Sequence, residues 1–452
     1  MMALTQVSEI LDGAMQGSDV EFSAVSTDTR SLQPGDLYIA LTGENFDGHD
    51  YLDQAEKAGA AAAIVHKNVH TNLPRIKVED TRKALGGLAA AWRQSFNGRV
   101  VAITGSNGKT TVKEMTAAIL SKQGDVLATK GNFNNDIGLP LTLLRMSKEQ
   151  FAVIEMGANH AGEITYLTNV TKPDVAIITN AGPAHLEGFG SIQGVAEAKG
   201  EIYQGLNEQG IAVINLDDKY AAYWLGLNAH RKALTFSMSD TSANVCGTWK
   251  PTEKGGELNV VINGEAFAVN LQLHGAHNAM NALAAITLAE SLQIPRSKMT
   301  QALNEFKSVR GRLDFHQVSD SLLVIDDTYN ANPASLKAGI EVLGTLSGEH
   351  WLILGDMGEL GTEGKRIHYD VGAHAQASGV NKLLAVGDVS RYAVEAFGDE
   401  ALFFETKEEL VKFVRQHESK ALNVLVKGSR FMHMEDVVDL LKKGVTNASL
   451  AR

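Results

Sequence analysis

The residues best suited to chemistry stand in VVAITGSNGKTTVKEM, Val100–Met115. Four apolar residues lead through Thr104 into the turn Gly105-Ser106-Asn107-Gly108, and then into Lys109, Thr110 and Thr111. Gly105 and Gly108 permit a tight turn that lets backbone amides face an anion. Lys109 can reach a terminal phosphate, and Thr110 can ligate magnesium. The strict phosphate-loop spacing asks for a glycine five residues before the Gly-Lys pair. That position holds Ile103. The letter of the pattern fails, while strand, loop and helix follow one another as the mechanism requires. A glycine-rich turn that only starts a helix is the plain alternative.

Other polar groups follow apolar strands, where α/β sheets place ligands. FAVIE ends in Glu155, a carboxylate suited to a hard cation beside a phosphate loop. In NAGPAHLEGFGS, His185 follows the next strand; magnesium prefers oxygen, so chemistry alone gives this histidine no metal role. Lys199, in EAKGEI, reads by itself as a solvated helix lysine. GNFNNDIGLP, with Asn134 and Asn135, is a polar loop rich in donors. HGAHNAMNALAA carries Asn278 and Asn281 at a helix start, where asparagine reads a base edge or caps the helix. Arg312, in RGRLD, pairs with phosphate or closes a surface ion pair. LLVIDD ends in Asp326 and Asp327 and runs into Tyr329, Asn330 and Asn332; Asp327 can hold a ribose hydroxyl. LGDMGELG and Lys427–Arg430 follow later strands in the same manner and suggest a second ligand face. Near the N-terminus, STDTRSLQPGDLYIALTGENFDGHDY is rich in turn formers, and Arg30 and His49 could hold an anionic ligand.

The elements that must position these groups read as three α/β units. Residues 1–98 hold strand character at Asp36–Leu41 and Ala61–Val65, helices at Tyr51–Gly59 and Leu85–Ser95, and a closing turn at Phe96-Asn97-Gly98. Residues 99–312 alternate strands (Val100–Thr104, Phe151–Glu155, Val175–Thr179, Ile211–Asn215) with helices, closing on Asn278–Glu290. Near-continuous apolar strands of this kind imply a parallel sheet covered on both faces. Residues 313–452 repeat a doubly wound pattern with strands at Leu322–Asp326, His350–Leu354, Lys382–Val386 and Asn423–Val426.

Composition narrows the function classes. The chain has 452 residues, 44% hydrophobic and 21% charged, which fits several globular domains. A net charge of -12 argues against a general nucleic-acid binder. Cys246 is the single cysteine, so no intrachain disulfide forms and a reducing compartment is expected. The opening residues show no signal-peptide pattern, and no apolar run reaches the roughly 18 residues needed to span a bilayer. A cytoplasmic protein without membrane insertion is the expectation.

TGSNGKTT, the strand-end glutamate of EMGANH, the histidine of NAGPAHLEGFGS and the lysine of KGEI, in this order, resemble the Mur ligase family over essentially the whole chain. The isoleucine at position 103 is that family's own form of the loop. STDTR, GENFDGHD, EMGANHAGEI, DDTYNANP and LGDMGELG look most like the member that adds D-alanyl-D-alanine to UDP-N-acetylmuramoyl-tripeptide. The Asp-Asn-Pro-Arg motif of the member adding the third stem residue is absent, with LGDMGELG in the comparable region. The resemblance implies an N-terminal uridine-nucleotide domain, a central P-loop-like mononucleotide-binding domain and a C-terminal Rossmann-like domain for the incoming dipeptide. It implies an ADP-forming amide ligase that uses ATP and Mg2+, works through an acyl phosphate in peptidoglycan precursor synthesis, and is a monomer.

By position, the resemblance places Gly105, Ser106, Asn107, Gly108, Lys109, Thr110 and Thr111 on the ATP phosphates. Asn278 and Asn281 fall to the adenine, Arg312 to a phosphate and Asp327 to the ribose. Thr110 and Glu155 would hold one magnesium, and His185 and a carbamylated Lys199 a second. Ser26, Thr27, Asp28, Arg30, Thr42, Asn45, Phe46, Asp47 and His49 would serve the uridine nucleotide. Asn134, Asn135, Tyr329, Asn330 and Asn332 would line the substrate site. Two alternatives stay open. One is another ATP-driven amide ligase, such as the third-residue adder or a folylpolyglutamate synthetase. The other is a nucleotide-binding switch without ligase activity.

Overall fold

Apolar runs alternating with helices become three separate β-sheets in a computed structural model that describes residues 2–183, 186–418 and 421–443. The first sheet has five strands in the order Ala14–Gln16, Arg75–Lys77, Ala62–Val65, Leu37–Ile39 and Val25–Ser26, with only the first antiparallel to its neighbour. The helix after it spans Thr81–Gln94, four residues ahead of the Leu85 start that apolar periodicity suggests. Asp80 is the reason: its carboxylate accepts from the amides of Arg82 and Lys83 and so fixes the N-terminus.

That helix ties the N-terminal unit to the central one. Leu85, Leu88 and Ala89 share a buried cluster with Val100, Ala102 and Ile154 of the central sheet. Trp92 Nε1 donates to the Met146 carbonyl at 2.9 Å, and Arg93 Nε to that of Thr171 at 2.9 Å. The Phe96–Gly98 turn thus separates two sheets that share one continuous core.

The central sheet has nine strands. Six run parallel in the order Val126–Ala128, Phe151–Glu155, Arg99–Thr104, Val175–Ile178, Ile211–Asn215 and Ala233–Ser237, and Val245–Thr252 joins them in parallel. All five residues of Phe151–Glu155 are buried, as expected of a strand covered on both faces. Along Arg99–Thr104 the faces alternate: Val100 and Ala102 join the N-terminal cluster, and Val101 and Ile103 join the cluster under the Lys109–Ser121 helix. That helix buries Val112, Met115, Ile119 and Leu120, each worth roughly 1.5–3 kcal/mol of gross burial.

Strands Gly255–Ile262 and Glu265–Leu271 extend the sheet antiparallel, beyond the strand–helix alternation expected there. Asn263 and Gly264 form the turn between them with φ of 52° and 78°, the positive pair that a tight hairpin needs. The helix after the hairpins runs Ala276–Ser291, and a further helix, Arg296–Glu305, lies beyond it.

The third sheet orders Asp314–Gln317, Leu322–Asp327, Leu422–Lys427, Glu349–Gly355, Lys382–Val386 and Ala401–Phe404, parallel except for its first strand. The carboxyl ends of its core strands face the phosphate loop. Arg312 Nη2 donates to Thr110 Oγ1 at 3.1 Å, and Asn332 Nδ2 to Asn107 Oδ1 at 2.7 Å. Among the described residues, no helix is long and apolar enough to cross a membrane.

Candidate active site

A cavity of about 1620 Å³ opens at the carboxyl end of the central sheet. Groups from all three units line it, including Arg82, Lys109, Glu155, Asn278, Arg312 and Lys427. It sits where the connection from Arg99–Thr104 leads to one side of that strand and the connection from Phe151–Glu155 leads across it to the other, the crevice in which open α/β sheets hold ligands.

The phosphate loop is close-packed. Gly105 has φ of 152° and Gly108 of 82°. A Cβ at Gly105 would lie 1.8 Å from Thr179 Oγ1, and one at Gly108 would lie 2.4 Å from Asn281 Oδ1, so a side chain at either position would displace a neighbour as well as adopt a positive φ. Thr179 and Asn180, which sequence reasoning missed, brace the loop from the next strand end. Thr179 Oγ1 donates to the Asn107 carbonyl at 2.6 Å, and the Asn180 side chain bonds both the amide and the carbonyl of Asn107. The Ser106 amide donates to the Asn180 carbonyl. No side chain caps the Lys109–Ser121 helix, so its first-turn amides are the donors aimed at an anion. Lys109 Nζ donates to the Gly105 carbonyl at 2.7 Å. Burial lowers its pKa, the Glu155 carboxylate opposes that, and the Arg312 charge adds to it.

Glu155 ends its strand with only one oxygen satisfied. Oε1 accepts from Asn134 Nδ2 at 2.8 Å, and Oε2 is buried with no partner. An orphaned buried carboxylate oxygen is costly. A free carboxylate oxygen is the donor chemistry that a magnesium ion takes, as is the hydroxyl of Thr110, which accepts from Arg312 Nη2 at 3.1 Å. Arg312 is held in the cavity wall, with its guanidinium 4.2 Å over the Tyr329 ring and its buried Nε unpartnered. Among the described residues, Arg312 forms no surface ion pair of the kind left open for it in the sequence.

Lys199 departs from its reading as a solvated lysine. It is 2% exposed in the helix Ile192–Gly200, with Nζ 5.9 Å from the Phe189 ring centroid. Burial pushes its pKa well down, and the Lys109 charge pushes the same way. His185 lies outside the described residues.

Asn278 and Asn281 do not cap their helix; Gly275 takes that position. Both are buried in its first turns. Asn278 Nδ2 donates to the His274 carbonyl at 2.9 Å, and Asn281 sits against Gly108. Between them and the third sheet lies His277, pushed down to about 4 by burial and then by the Lys427 charge. Asp327 forms a buried ion pair with Lys427, and its Oδ1 accepts the Leu313 amide at 3.3 Å. Burial raises the Asp327 pKa against the lowering effect of Lys427. Asn332 caps the helix Pro333–Leu343 while reaching Asn107.

Of the N-terminal candidates, none from Ser26 to His49 lines the large cavity among the described residues. Arg30 pairs with Asp28 at 2.7 Å with its side chain 88% exposed. His49 is buried with both ring nitrogens engaged: Nδ1 meets Asp47 Oδ1 at 2.6 Å, and Nε2 accepts from the His66 amide at 3.1 Å. It therefore orients Asp47, which also pairs with Lys67.

Comparison with known proteins is consistent along the whole chain. Residues 21–93 match the Mur ligase family catalytic domain, 103–289 the Mur ligase middle domain, and 311–430 the Mur ligase glutamate ligase domain. The UDP-N-acetylmuramoyl-tripeptide--D-alanyl-D-alanine ligase of Escherichia coli is 44% identical over 98% of this chain and 99% of its own. The crystal structure of MurF from Acinetobacter baumannii superposes with a TM-score of 0.91 at 34% identity, covering 97% of this chain and 98% of its own. MurF ligase from Thermotoga maritima in complex with ADP gives a TM-score of 0.84 at 28% identity, covering 94% and 98%.

Proposed function

Since this chain belongs to the Mur ligase family, we infer its reaction from the relatives it matches end to end. It joins D-alanyl-D-alanine to UDP-N-acetylmuramoyl-tripeptide at the expense of ATP, in peptidoglycan synthesis. The observation that carries the residue-level reading is the convergence of Lys109, the first-turn amides after Gly108 and the half-satisfied Glu155 carboxylate on one cavity.

A carboxylate does not condense with an amine in neutral water, because the leaving group would be an oxide. Phosphorylation of the tripeptide carboxylate by ATP gives an acyl phosphate, the dipeptide amine attacks its carbonyl, and phosphate leaves. The first step brings two anions together. Lys109 leaves the Gly105 carbonyl for the terminal phosphates, and the helix amides hold the charge that develops on them. Arg312 holds a phosphate, Asn278 and Asn281 hold the adenine, and Asp327 holds the ribose. Glu155 and Thr110 would hold one magnesium, and Lys199, carbamylated, would hold a second with His185. Such ions supply charge neutralisation at the transferring phosphoryl group.

Burial of Lys199 supports its part, because a neutral amine is the form that combines with carbon dioxide. The segments Ser26–Arg30 and Thr42–His49 take the uridine nucleotide, through Asp28 and Asp47 as oriented by Arg30 and His49. Asn134, Asn135, Tyr329 and Asn330 border the peptide and the incoming dipeptide. The enzyme works in the cytoplasm as a monomer. Incubation with ATP, the tripeptide nucleotide and D-alanyl-D-alanine, followed by mass spectrometry, tests the reaction. The expected product is heavier than the tripeptide nucleotide by one dipeptide residue unit; a product formed with a single amino acid instead would move the chain to another member of the family.

A further inference from the structure

Lys113 lies one helical turn past Lys109, and no part of the reaction above uses it. It is 1% exposed. A buried ammonium is tolerated only when its donors are satisfied. Lys113 Nζ donates to the Thr129 carbonyl at 2.7 Å and pairs with Glu114 Oε1 at 2.8 Å.

Thr129 is itself buried and stands at the end of the strand Val126–Ala128. Its Oγ1 accepts the backbone amide of Glu155 at 3.0 Å, and its own amide donates to the Val153 carbonyl at 3.1 Å. Beyond Thr129 the chain turns into the loop that carries Asn134. Asn134 holds that strand end at two points: its Nδ2 donates to Glu155 Oε1 at 2.8 Å, and its carbonyl accepts the Gly157 amide at 2.9 Å. Glu155 is therefore gripped at backbone and side chain by one segment, and the root of that segment is clamped to the helix bearing Lys109 and Thr110.

We propose that Lys113 is a positioning residue which, through Thr129, fixes the Glu155 carboxylate relative to Thr110 on the phosphate-loop helix. The two oxygens that would share a metal come from different elements, a strand end and a helix start. Thr129 joins those elements, taking the Lys113 ammonium on its carbonyl and the Glu155 amide on its hydroxyl, and neither Lys113 nor Thr129 lines the cavity. The inference rests on the reading of Glu155 as a metal ligand given above.

The test uses the full-length enzyme and three substitutions. Lys113→Met keeps the length and burial but removes the donors, Lys113→Arg keeps donors, and Thr129→Val removes the acceptor for the Glu155 amide while keeping the shape. Mn2+ affinity of the ADP complex, read by electron paramagnetic resonance, and kcat are measured for each, with ADP affinity in metal-free buffer as the control. Groups that orient a ligand from behind typically change metal affinity or activity by roughly 10- to 100-fold. Lys113→Met and Thr129→Val are expected to weaken Mn2+ binding and lower kcat by that order, with metal-free ADP affinity within about twofold of the parent, and Lys113→Arg to recover part of the loss.

Parent-like Mn2+ affinity and kcat in a folded Lys113→Met enzyme, even one of lower thermal stability, would reduce Lys113 to a structural anchor and overturn the proposal. If Lys113→Met does not fold, unchanged Mn2+ affinity in Thr129→Val overturns it equally. Glu155→Gln separates the two levels. Parent-like Mn2+ binding in Glu155→Gln removes the metal-ligand reading and this inference with it. Weakened binding there, beside parent-like binding in the other variants, removes the inference alone.

Discussion

Lys109 and Lys199 are both lysines whose charge the fold works against, and they fare differently. Lys109 is half-buried in the cavity wall, and the Glu155 carboxylate opposes the lowering of its pKa. Its replacement by alanine should lower turnover by a hundred- to thousandfold, about 3–4 kcal/mol of transition-state stabilisation, with an unchanged circular dichroism spectrum. Turnover within about tenfold of the parent would remove Lys109 from the mechanism.

Lys199 has no carboxylate among the causes of its shift, and the Lys109 charge adds to its desolvation. Its neutral fraction therefore grows as pH rises through a value well below 10.5. Carbon-13 NMR in labelled bicarbonate should show a carbamate signal that fades on acidification and is missing from Lys199→Ala. A spectrum identical in both proteins would leave Lys199 uncarbamylated. The placement of Lys109 was legible in the sequence because it is local, set by a glycine turn and a helix start. The burial of Lys199 was not, because it comes from the packing of its whole helix, and EAKGEI carries no trace of that.

Among the elements, the phosphate loop shows what spacing conveys and what it omits. Glycines before Lys109 announce a turn, and the structure adds why they are required: φ of 82° at Gly108, with Asn281 Oδ1 where a Cβ would stand. A Gly108→Ala enzyme must turn the Asn281 side chain aside and hold an alanine at that φ. Non-glycine residues at such angles carry strain of order 1–3 kcal/mol, so a loop that relaxes out of its binding shape should lower ADP affinity, measured by calorimetry, by about five- to a hundredfold. Undiminished affinity would mean that the loop has room the structure denies it.

The braces Thr179 and Asn180 left no signal, since their partners lie some 70 residues away in sequence: |i−j| is 72 for Thr179 and 73 for Asn180. Parallel strands were legible from unbroken apolar runs. The Gly255–Leu271 hairpin broke that pattern, because its residues alternate buried and exposed and follow a different period from the helices around them. Helix starts moved where a side chain outside the apolar pattern set the cap, as Asp80 does for Thr81–Gln94.

At the scale of the molecule, the C-terminal unit rests on the phosphate loop through Arg312–Thr110 and Asn332–Asn107, and His277 lines the cavity, half-buried, on the central helix. Folding depresses its pKa from 6.5 to about 4. Between those values the unfolded chain binds a proton that the folded chain refuses, so stability falls as pH drops through the window and is unaffected above it. The full effect is about 3 kcal/mol. Urea midpoints at pH 7 and pH 4.5 should therefore differ less in His277→Gln than in the parent; an equal difference would place the acid sensitivity elsewhere. Three domains and their order could be read from the sequence. The sharing of one core by the first two could not, because it depends on which face of Thr81–Gln94 turns inward.

The central claim is that phosphate leaves ATP only to activate a carboxylate for this amine. Phosphate release should be measured with UDP-N-acetylmuramoyl-tripeptide, with and without D-alanyl-D-alanine. Sustained release that requires both substrates, in step with pentapeptide nucleotide formed, is the predicted result. Release independent of the dipeptide, or none with any pairing, would contradict the account and return the phosphate loop to a binding role alone.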